Sequence, residues 1–166
     1  MMKKFKTYLI AAVALLGFQT INAQAKVAHV DVKEIMTKMP AVLDAQNQLK
    51  KLGDTYSADY KTMVDEYQAK IKKYETEAST VTDAVNQTRQ QEVQDMAKRI
   101  SDFQDTAQKD LQKKEADLMQ PIETKVKASI QKVGKAKGYQ YVLNATDLLL
   151  SDGPDLTADV KKDLGF

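Results

Sequence analysis

Residue types that carry out catalysis are scarce in this sequence. It contains a single histidine, His29, and no cysteine, which excludes thiolate chemistry and cysteine-rich zinc sites. A lone histidine in a strand-like stretch is more often a packed or interface side chain than a general base. Acidic neighbours such as Asp65 and Glu66, or Asp152 and Asp155, are expected among 23 acidic residues and are predicted to be solvated. No glycine-rich phosphate loop is present, so the sequence predicts no enzyme, no catalytic residue, no metal site and no cofactor.

Aromatic and methionine residues recur at helical spacing along the chain. They indicate a binding surface that makes weak contacts with apolar partners. Such side chains are polarizable or amphipathic, and a mobile helical surface that carries them suits many partners. An alternative is that they only seal one helix onto another, and the two roles are compatible. We predict that a binding surface for apolar partners is formed by Tyr56, Tyr60, Met63, Tyr67, Met96 and Phe103.

Two long helices are predicted to position these residues. From Ala41 to about Ala78, apolar residues recur in steps of three and four, with one glycine, Gly53, and no proline. A second series of this kind runs from Val93 to Val133. Between them, Ser79 to Asp83 combines hydroxyl, carboxylate and β-branched side chains, which favours a helix start over a helix interior. A turn is therefore predicted near residues 79–83; the alternative, one uninterrupted helix, would need a rod of about 140 Å.

Two prolines support the helical hairpin. A turn near residue 81 places Pro40 level with Pro121; Pro40 suits the first turn of a helix, and Pro121 would kink a continuing one. Gly138 fits the end of the second helix. We expect an arm, residues 41–120, that projects about 57 Å from a body formed by residues 24–40 and 121–166. Because the apolar series of the arm is thin, the arm is expected to be the flexible part.

Three strand-like segments lie outside the arm. Ala25 to Val32 alternates apolar and polar residues, and two later runs, Tyr139 to Leu143 and Leu148 to Leu150, are separated by a turn. Because two strands do not make a stable sheet alone, the late strands are expected to pair with the early one and to need further partners from another copy. A short helix is predicted near residues 155–162. The predicted fold class is α+β and mostly helical, with a small β body and a long antiparallel helical-hairpin arm.

The first residues resemble an export signal. A basic flank, an apolar run from Leu9 to Phe18 and small residues near Ala23 predict a cleaved signal peptide over residues 1–23, with the cut near Ala23 or Ala25. The alternative, an uncleaved membrane anchor, is disfavoured because about ten apolar residues are too few to span a bilayer. Loss of the three lysines in this segment would leave 22 basic residues against 23 acidic ones. A nearly neutral mature chain does not predict nucleic-acid binding.

The two ends of the mature chain resemble a known family. The strand Lys26 to Asp31, the ending Tyr139 to Ala145 and the following Asp155 to Val160 are similar to the Skp/OmpH family of periplasmic chaperones. The similarity in pattern spans essentially the whole mature chain, but the residue-level match is concentrated in the terminal segments. The charged helical hairpin between them fits the family and would also fit other coiled coils.

The resemblance implies a homotrimer in the periplasm. In that family, strands from three subunits form a central β body, and the helical arms surround a cavity that holds unfolded outer-membrane β-barrel proteins without ATP. Self and unfolded outer-membrane proteins are therefore the expected partners. The expected contact residues of the trimer are Val27, His29, Val30, Tyr141 and Leu143. The alternative, a structural coiled-coil spacer of the cell envelope, would require a tight Leu and Ile seam in the arm.

The chain departs from the family pattern in two respects. His29 stands where an aliphatic residue is usual, which raises the hypothesis of a pH-sensitive contact between subunits. The family's best-known members have basic arm tips, whereas contact of this chain with membrane or lipopolysaccharide is left open by its balance of charges. The basic residues Lys70, Lys72, Lys73, Arg89, Lys98 and Arg99 are matched by Asp65, Glu66, Glu75, Glu77, Asp83, Glu92 and Asp95.

Overall fold

A computed structural model describes residues 25–166 of the chain. The predicted signal peptide, residues 1–23, lies outside the described residues. In chain order the elements are β1 (Val27–Val30), α1 (Val32–Lys38), α2 (Pro40–Glu77), a 3-10 turn (Ala78–Thr80), α3 (Asp83–Ala136), β2 (Tyr141–Asn144), a second 3-10 turn (Ala145–Asp147) and α4 (Thr157–Leu164). The mostly helical α+β fold predicted from the sequence is confirmed.

Helices α2 and α3 form the hairpin, and its turn is fixed by polar side chains. Pro40 occupies the first turn of α2, where its missing N–H breaks no helical hydrogen bond. At the other end, the Thr82 hydroxyl accepts a hydrogen bond from the Val85 amide and so begins α3. The Asn86 side-chain amide donates to the carbonyl of Ala78 at 2.9 Å and ties α3 back to the turn. The chain therefore reverses over Ala78 to Thr82, and α2 alone is 38 residues long, about 57 Å.

The sheet is parallel and non-local. β1 pairs with β2 in the register Val27 to Tyr141 through Val30 to Asn144. On the other side of β1, the His29 amide donates to the carbonyl of Pro154, and the Leu156 amide donates to the carbonyl of His29, both at 2.9 Å. This segment makes a single parallel bridge at Asp155 rather than a strand. Both edges of β1 are therefore occupied within one subunit.

One predicted strand is wrong. Leu148 to Leu150 does not form a strand, and Leu149 and Leu150 are exposed in the loop after the second 3-10 turn. The reason is that Asn144 starts a tight turn, in which its side-chain amide donates to Thr146 and Asp147. Because the far side of β1 is taken by residues 154–156, the late run finds no backbone partner there. The early strand is also shorter than predicted, since Val32 already begins α1.

The core of the body lies where α1, α4 and the end of α3 close over β1. Its fully buried side chains are Val30, Ile35, Leu156 and Val160, each contributing roughly 1.5–3 kcal/mol by burial. Val126 and Val133 supply the α3 side of this cluster. Pro121 lies inside α3, which continues past it into the body. One helix thus belongs to both arm and body.

Helix α4 is secured to the body by polar contacts at both ends. The Thr157 hydroxyl accepts from the Asp31 amide at 2.9 Å and donates to the Asp155 carboxylate, which links the start of α4 to the end of β1. Near the other end, the Asp163 carboxylate accepts from Ser129 of α3. Hydrogen bonds from Lys132 and Ser129 hold the pKa of Asp163 below its usual value. Among residues 25–166, every helix is too short or too polar to be a candidate membrane span.

We expect opposite effects from adding a methyl group at two helical glycines. A Cβ at Gly134 would lie 2.8 Å from a methyl carbon of Val142, whose branched side chain is stiff, so Gly134→Ala should cost about 1–3 kcal/mol. A Cβ at Gly53 meets nothing within 4 Å, so Gly53→Ala should stabilise α2 by about 1 kcal/mol. Urea unfolding followed by circular dichroism at fixed protein concentration measures both. A Gly134→Ala protein as stable as the parent would contradict the close packing of α3 on β2.

The hydrogen bonds of Glu34 predict that the body loses stability at acid pH. Hydrogen bonds from Lys161 of α4 and from Lys38 lower the pKa of Glu34 to about 2. Because the folded-state pKa is depressed from 4.5, the stabilisation is complete above about pH 4.5 and is lost as the pH falls towards 2. Glu34→Gln should therefore lower the urea midpoint at pH 6, and its difference from the parent should shrink by pH 2.5. Glu66→Gln, at an exposed arm residue, is the control; a difference independent of pH would contradict the expectation.

Candidate functional site

The arm places all six predicted contact residues partly or wholly inside the hairpin. Met96 is buried, and the other five are half-buried; these are Tyr56, Tyr60, Met63, Tyr67 and Phe103. Their other faces remain open to solvent. The structure therefore gives them a role in joining α2 to α3, and it leaves part of each aromatic surface available.

Tyr56 and Phe103 form the defined aromatic contact of the arm. Their rings meet edge to face, with centroids 5.9 Å apart and planes at 79°, the geometry that aromatic quadrupoles favour. The Tyr56 hydroxyl donates to the Asp110 carboxylate at 3.1 Å. Burial, together with this hydrogen bond, raises the pKa of Tyr56 above its usual value. Tyr56 is thus held both through its ring and through its hydroxyl.

Beside this pair an open groove of about 730 Å³ lies between the two helices, and we call it the seam groove. Its apolar lining comes from Leu49, Tyr56, Tyr60, Phe103, Ala107 and Leu111, and its polar lining from Ser57, Gln104, Asp105, Gln108, Gln112 and Glu115. The sequence pattern placed all six apolar residues in the helical series but did not predict the groove. The available signal was the small Ala107 in a seam otherwise made of large residues.

The tip of the hairpin is held by polar contacts. Glu92 accepts hydrogen bonds from Lys70 and from the Tyr74 hydroxyl, both on the opposite helix. Arg89 pairs with Glu77 through Nη2 and Oε2 at 2.5 Å, and its guanidinium lies 4.5 Å from the centre of the Tyr74 ring. We call these five side chains the tip cluster. The hydrogen bonds from Lys70 and Tyr74 lower the pKa of Glu92, and that from Tyr74 to Glu92 raises the pKa of Tyr74.

The predicted contact residues of the body divide into two groups. Val27, Tyr141 and Leu143 are exposed, with 41%, 59% and 42% of their surface accessible. Val30 is buried, and His29 is 8% exposed beneath the segment that contains Gly153 and Pro154. The first group can meet another copy directly, whereas His29 and Val30 contact their own subunit's core. Because His29 packs within its own subunit here, a pH-sensitive contact of His29 between subunits stays a hypothesis.

These features define a class of protein: a small α/β body that carries one long, thinly packed helical-hairpin arm. The family model described as Outer membrane protein (OmpH-like) matches residues 26–164. The chain therefore belongs to the OmpH-like family.

Relatives of known name agree with this assignment. Chaperone protein Skp from Photorhabdus luminescens is 28% identical over 97% of this chain and 98% of its own length. Chaperone protein Skp from Photorhabdus laumondii subsp. laumondii is 29% identical over 86% of this chain and 88% of its own. The crystal structure of an OmpH-like protein from Caulobacter crescentus CB15 superposes with a TM-score of 0.77 at 15% identity, covering 86% of this chain and 85% of that one. The last comparison concerns the fold alone.

Glu92→Gln should loosen the tip of the arm without affecting the body. Loss of the carboxylate weakens the contacts to Lys70 and Tyr74, so amide hydrogen exchange across residues 70–92 should become about twofold to fivefold faster at pH 7. The folded-state pKa of Glu92 is depressed, so the parent's advantage is complete above about pH 4.5 and is lost at lower pH.

Asp102→Asn is the matched control for this test, because the Lys98–Asp102 pair lies on one exposed face of a single helix. It should leave exchange at residues 70–92 unchanged. Equal protection of the tip in the parent and in Glu92→Gln would contradict a cross-helix role for the tip cluster.

Proposed function

We propose that the protein is an exported, ATP-independent holdase chaperone that binds unfolded outer-membrane β-barrel proteins in the periplasm and prevents their aggregation before insertion. The observation that carries this proposal is the arm. Its half-buried tyrosines, Phe103 and the seam groove present apolar surface on a solvated scaffold. Weak, adaptable contacts of this kind suit unfolded chains, in which no fixed shape is available to recognise. Membership of a family whose curated relatives are named chaperones supports the same function.

We further propose that three copies assemble through the body. A two-stranded sheet is marginal alone, and within residues 25–166 strand β2 pairs with β1 and with no other strand. The outer edge of β2 and the exposed side chains of Val27, Tyr141 and Leu143 lie together through the β1–β2 register. Covering them would remove apolar surface and unpaired backbone groups from water. A trimer would also bring three arms around one space.

The export and cofactor proposals rest on the sequence. Residues 1–23 have the charge and apolar pattern of a cleaved signal. No step of the proposed function consumes ATP or uses a metal, since binding and release of an unfolded chain need only reversible contacts. At the tip, Lys70 and Arg89 are engaged by acidic partners, which weakens the case for lipopolysaccharide or anionic membrane as a partner.

Light scattering on the mature protein, alone and after dilution of a urea-denatured outer-membrane barrel into it, tests both proposals. We expect the mass of a trimer, and a soluble complex of one trimer with one client at near-stoichiometric ratio. Leu143→Glu should shift the mass toward the monomer, because it places charge on the exposed sheet.

Glu66→Gln, far from the sheet on the arm, should keep the parent's mass and its complex. A barrel protein that precipitates despite a several-fold excess of trimer would contradict the holdase function and favour an envelope spacer. A parent that is monomeric at all concentrations would contradict the assembly.

A further inference from the structure

The seam groove combines the volume of a ligand pocket with a lining that comes from both helices of the arm. At about 730 Å³ it falls within the 300–1,000 Å³ typical of ligand pockets. Leu49 and Tyr60 of α2 face Ala107 and Leu111 of α3 across it. Ala107 is itself buried, so this small side chain lies at the seam between the helices and also lines the groove.

One wall of the seam groove is organised before any partner arrives. The edge-to-face contact orients the Phe103 ring, and the hydrogen bond to Asp110 fixes Tyr56. A wall held in place by the protein's own contacts loses little side-chain entropy when an apolar group packs on it. The groove can therefore gain affinity from one side chain without reordering the arm.

The charged side chains that line the seam groove have one sign. The charged side chains that line it are Asp105 and Glu115, and the carboxylate of Asp110 lies beside it on Tyr56. Lys50 and Lys61 of α2 pair with Asp54 and Asp65 of the same helix. The lysines of α3 next to the lining in sequence, Lys109, Lys113 and Lys114, are exposed and do not line the groove. An acidic rim attracts cations and disfavours carboxylates, so it selects among apolar segments by their flanking charge. The glutamines of the rim can donate to and accept from an extended backbone.

We propose that the seam groove is a subsite for unfolded chains, which takes one aromatic or large aliphatic side chain from an extended segment with a lysine or arginine next to it. This deepens the proposed holdase function and rests on it. An aromatic side chain offers 150–250 Å² for burial, which is the largest gain available from a single residue in such a space. The subsite makes the chaperone prefer strand segments in which aromatic and basic residues are neighbours.

Tryptophan-containing peptides provide a direct test, because the chain has no tryptophan of its own. Two extended 12-residue peptides are used, identical except that the central Trp is flanked by Lys in one and by Glu in the other. With the parent protein, the Lys-flanked peptide should show a saturable blue shift and bind about tenfold more tightly than the Glu-flanked one. High salt should reduce that difference, since the rim is exposed.

Two variants alter the seam groove by different routes. Ala107→Leu fills it from its base, and Phe103→Leu removes its aromatic wall; each should weaken the Lys-flanked peptide about fivefold to tenfold. Thr106→Leu adds the same apolar group to an exposed position next in sequence and is the matched control. Helical content by circular dichroism shows whether each variant folds. If one groove variant does not fold, the other one tests the subsite.

The outcomes separate the subsite from the holdase function. Equal affinity of the two peptides, or unchanged binding in a folded groove variant, overturns the subsite even where the parent still holds a denatured barrel protein in solution. Failure to hold the barrel protein overturns the holdase function, whatever the peptides do. Preference for the Lys-flanked peptide that is lost in both groove variants and kept in Thr106→Leu supports the subsite.

Discussion

The parallel pairing of β1 with β2 is the constraint on which the rest of this structure depends. Val27 and Tyr141 are partners, although more than a hundred residues separate them in the chain. Parallel strands need a crossover connection, usually a helix that packs back onto the sheet. Here the crossover leaves the body through α2 and returns through α3, so the arm is the connection between two neighbouring strands. Closure depends on Gly134, where α3 approaches Val142 too closely to accommodate a side chain.

The kinds of interaction change along the arm, and the change accounts for its proposed adaptability. At the body, the helices share an apolar core with Met39, Val42 and Val126. In the middle, the aromatic contact of Tyr56 and Phe103 lies beside an open groove. At the tip, the contacts are partly buried ion pairs and hydrogen bonds between the two helices. Apolar contact between the helices therefore gives way to polar contact toward the tip, where the tip cluster joins the two helices.

Features fixed by short-range pattern could be predicted from the sequence. The steps of three and four gave two helices, and the cluster from Ser79 to Asp83 marked the turn because hydroxyl and carboxylate groups satisfy free helix amides. The family resemblance was visible at the two ends of the chain and is confirmed. Leu148 to Leu150 was assigned to a strand wrongly, because its apolar composition carries no information about which backbone already occupies the edge of β1.

The candidate site could be predicted only in part, because a local sequence pattern does not show which residues of different elements meet in the fold. Helical spacing identified Tyr56 and Phe103, but the seam groove depends on which residues of the two helices stand opposite each other. The tip cluster likewise pairs Lys70 with Glu92, 22 residues apart, and no spacing rule within one helix predicts such a pair. In the body, the alternation of a strand marks Val30 and His29 as interface candidates as readily as Val27. Only the packing of α1, α4 and residues 154–156 shows which of them remains available to another copy.

The division between body and arm fits the proposed combination of fixed assembly with variable binding. The body holds its sheet, α1 and α4 through buried apolar contacts and specific hydrogen bonds such as that from Asp31 to Thr157. Contacts of this type have one favourable geometry, so they suit an interface that is the same in every copy. The arm relies on amphipathic side chains whose partners can be exchanged at small cost, since Tyr and Met surfaces tolerate both water and apolar groups. Because α3 runs without a break from Asp83 to Ala136 and packs against Val142 at Gly134, one helix contacts both the opposite helix at the tip and the strand at the proposed subunit interface.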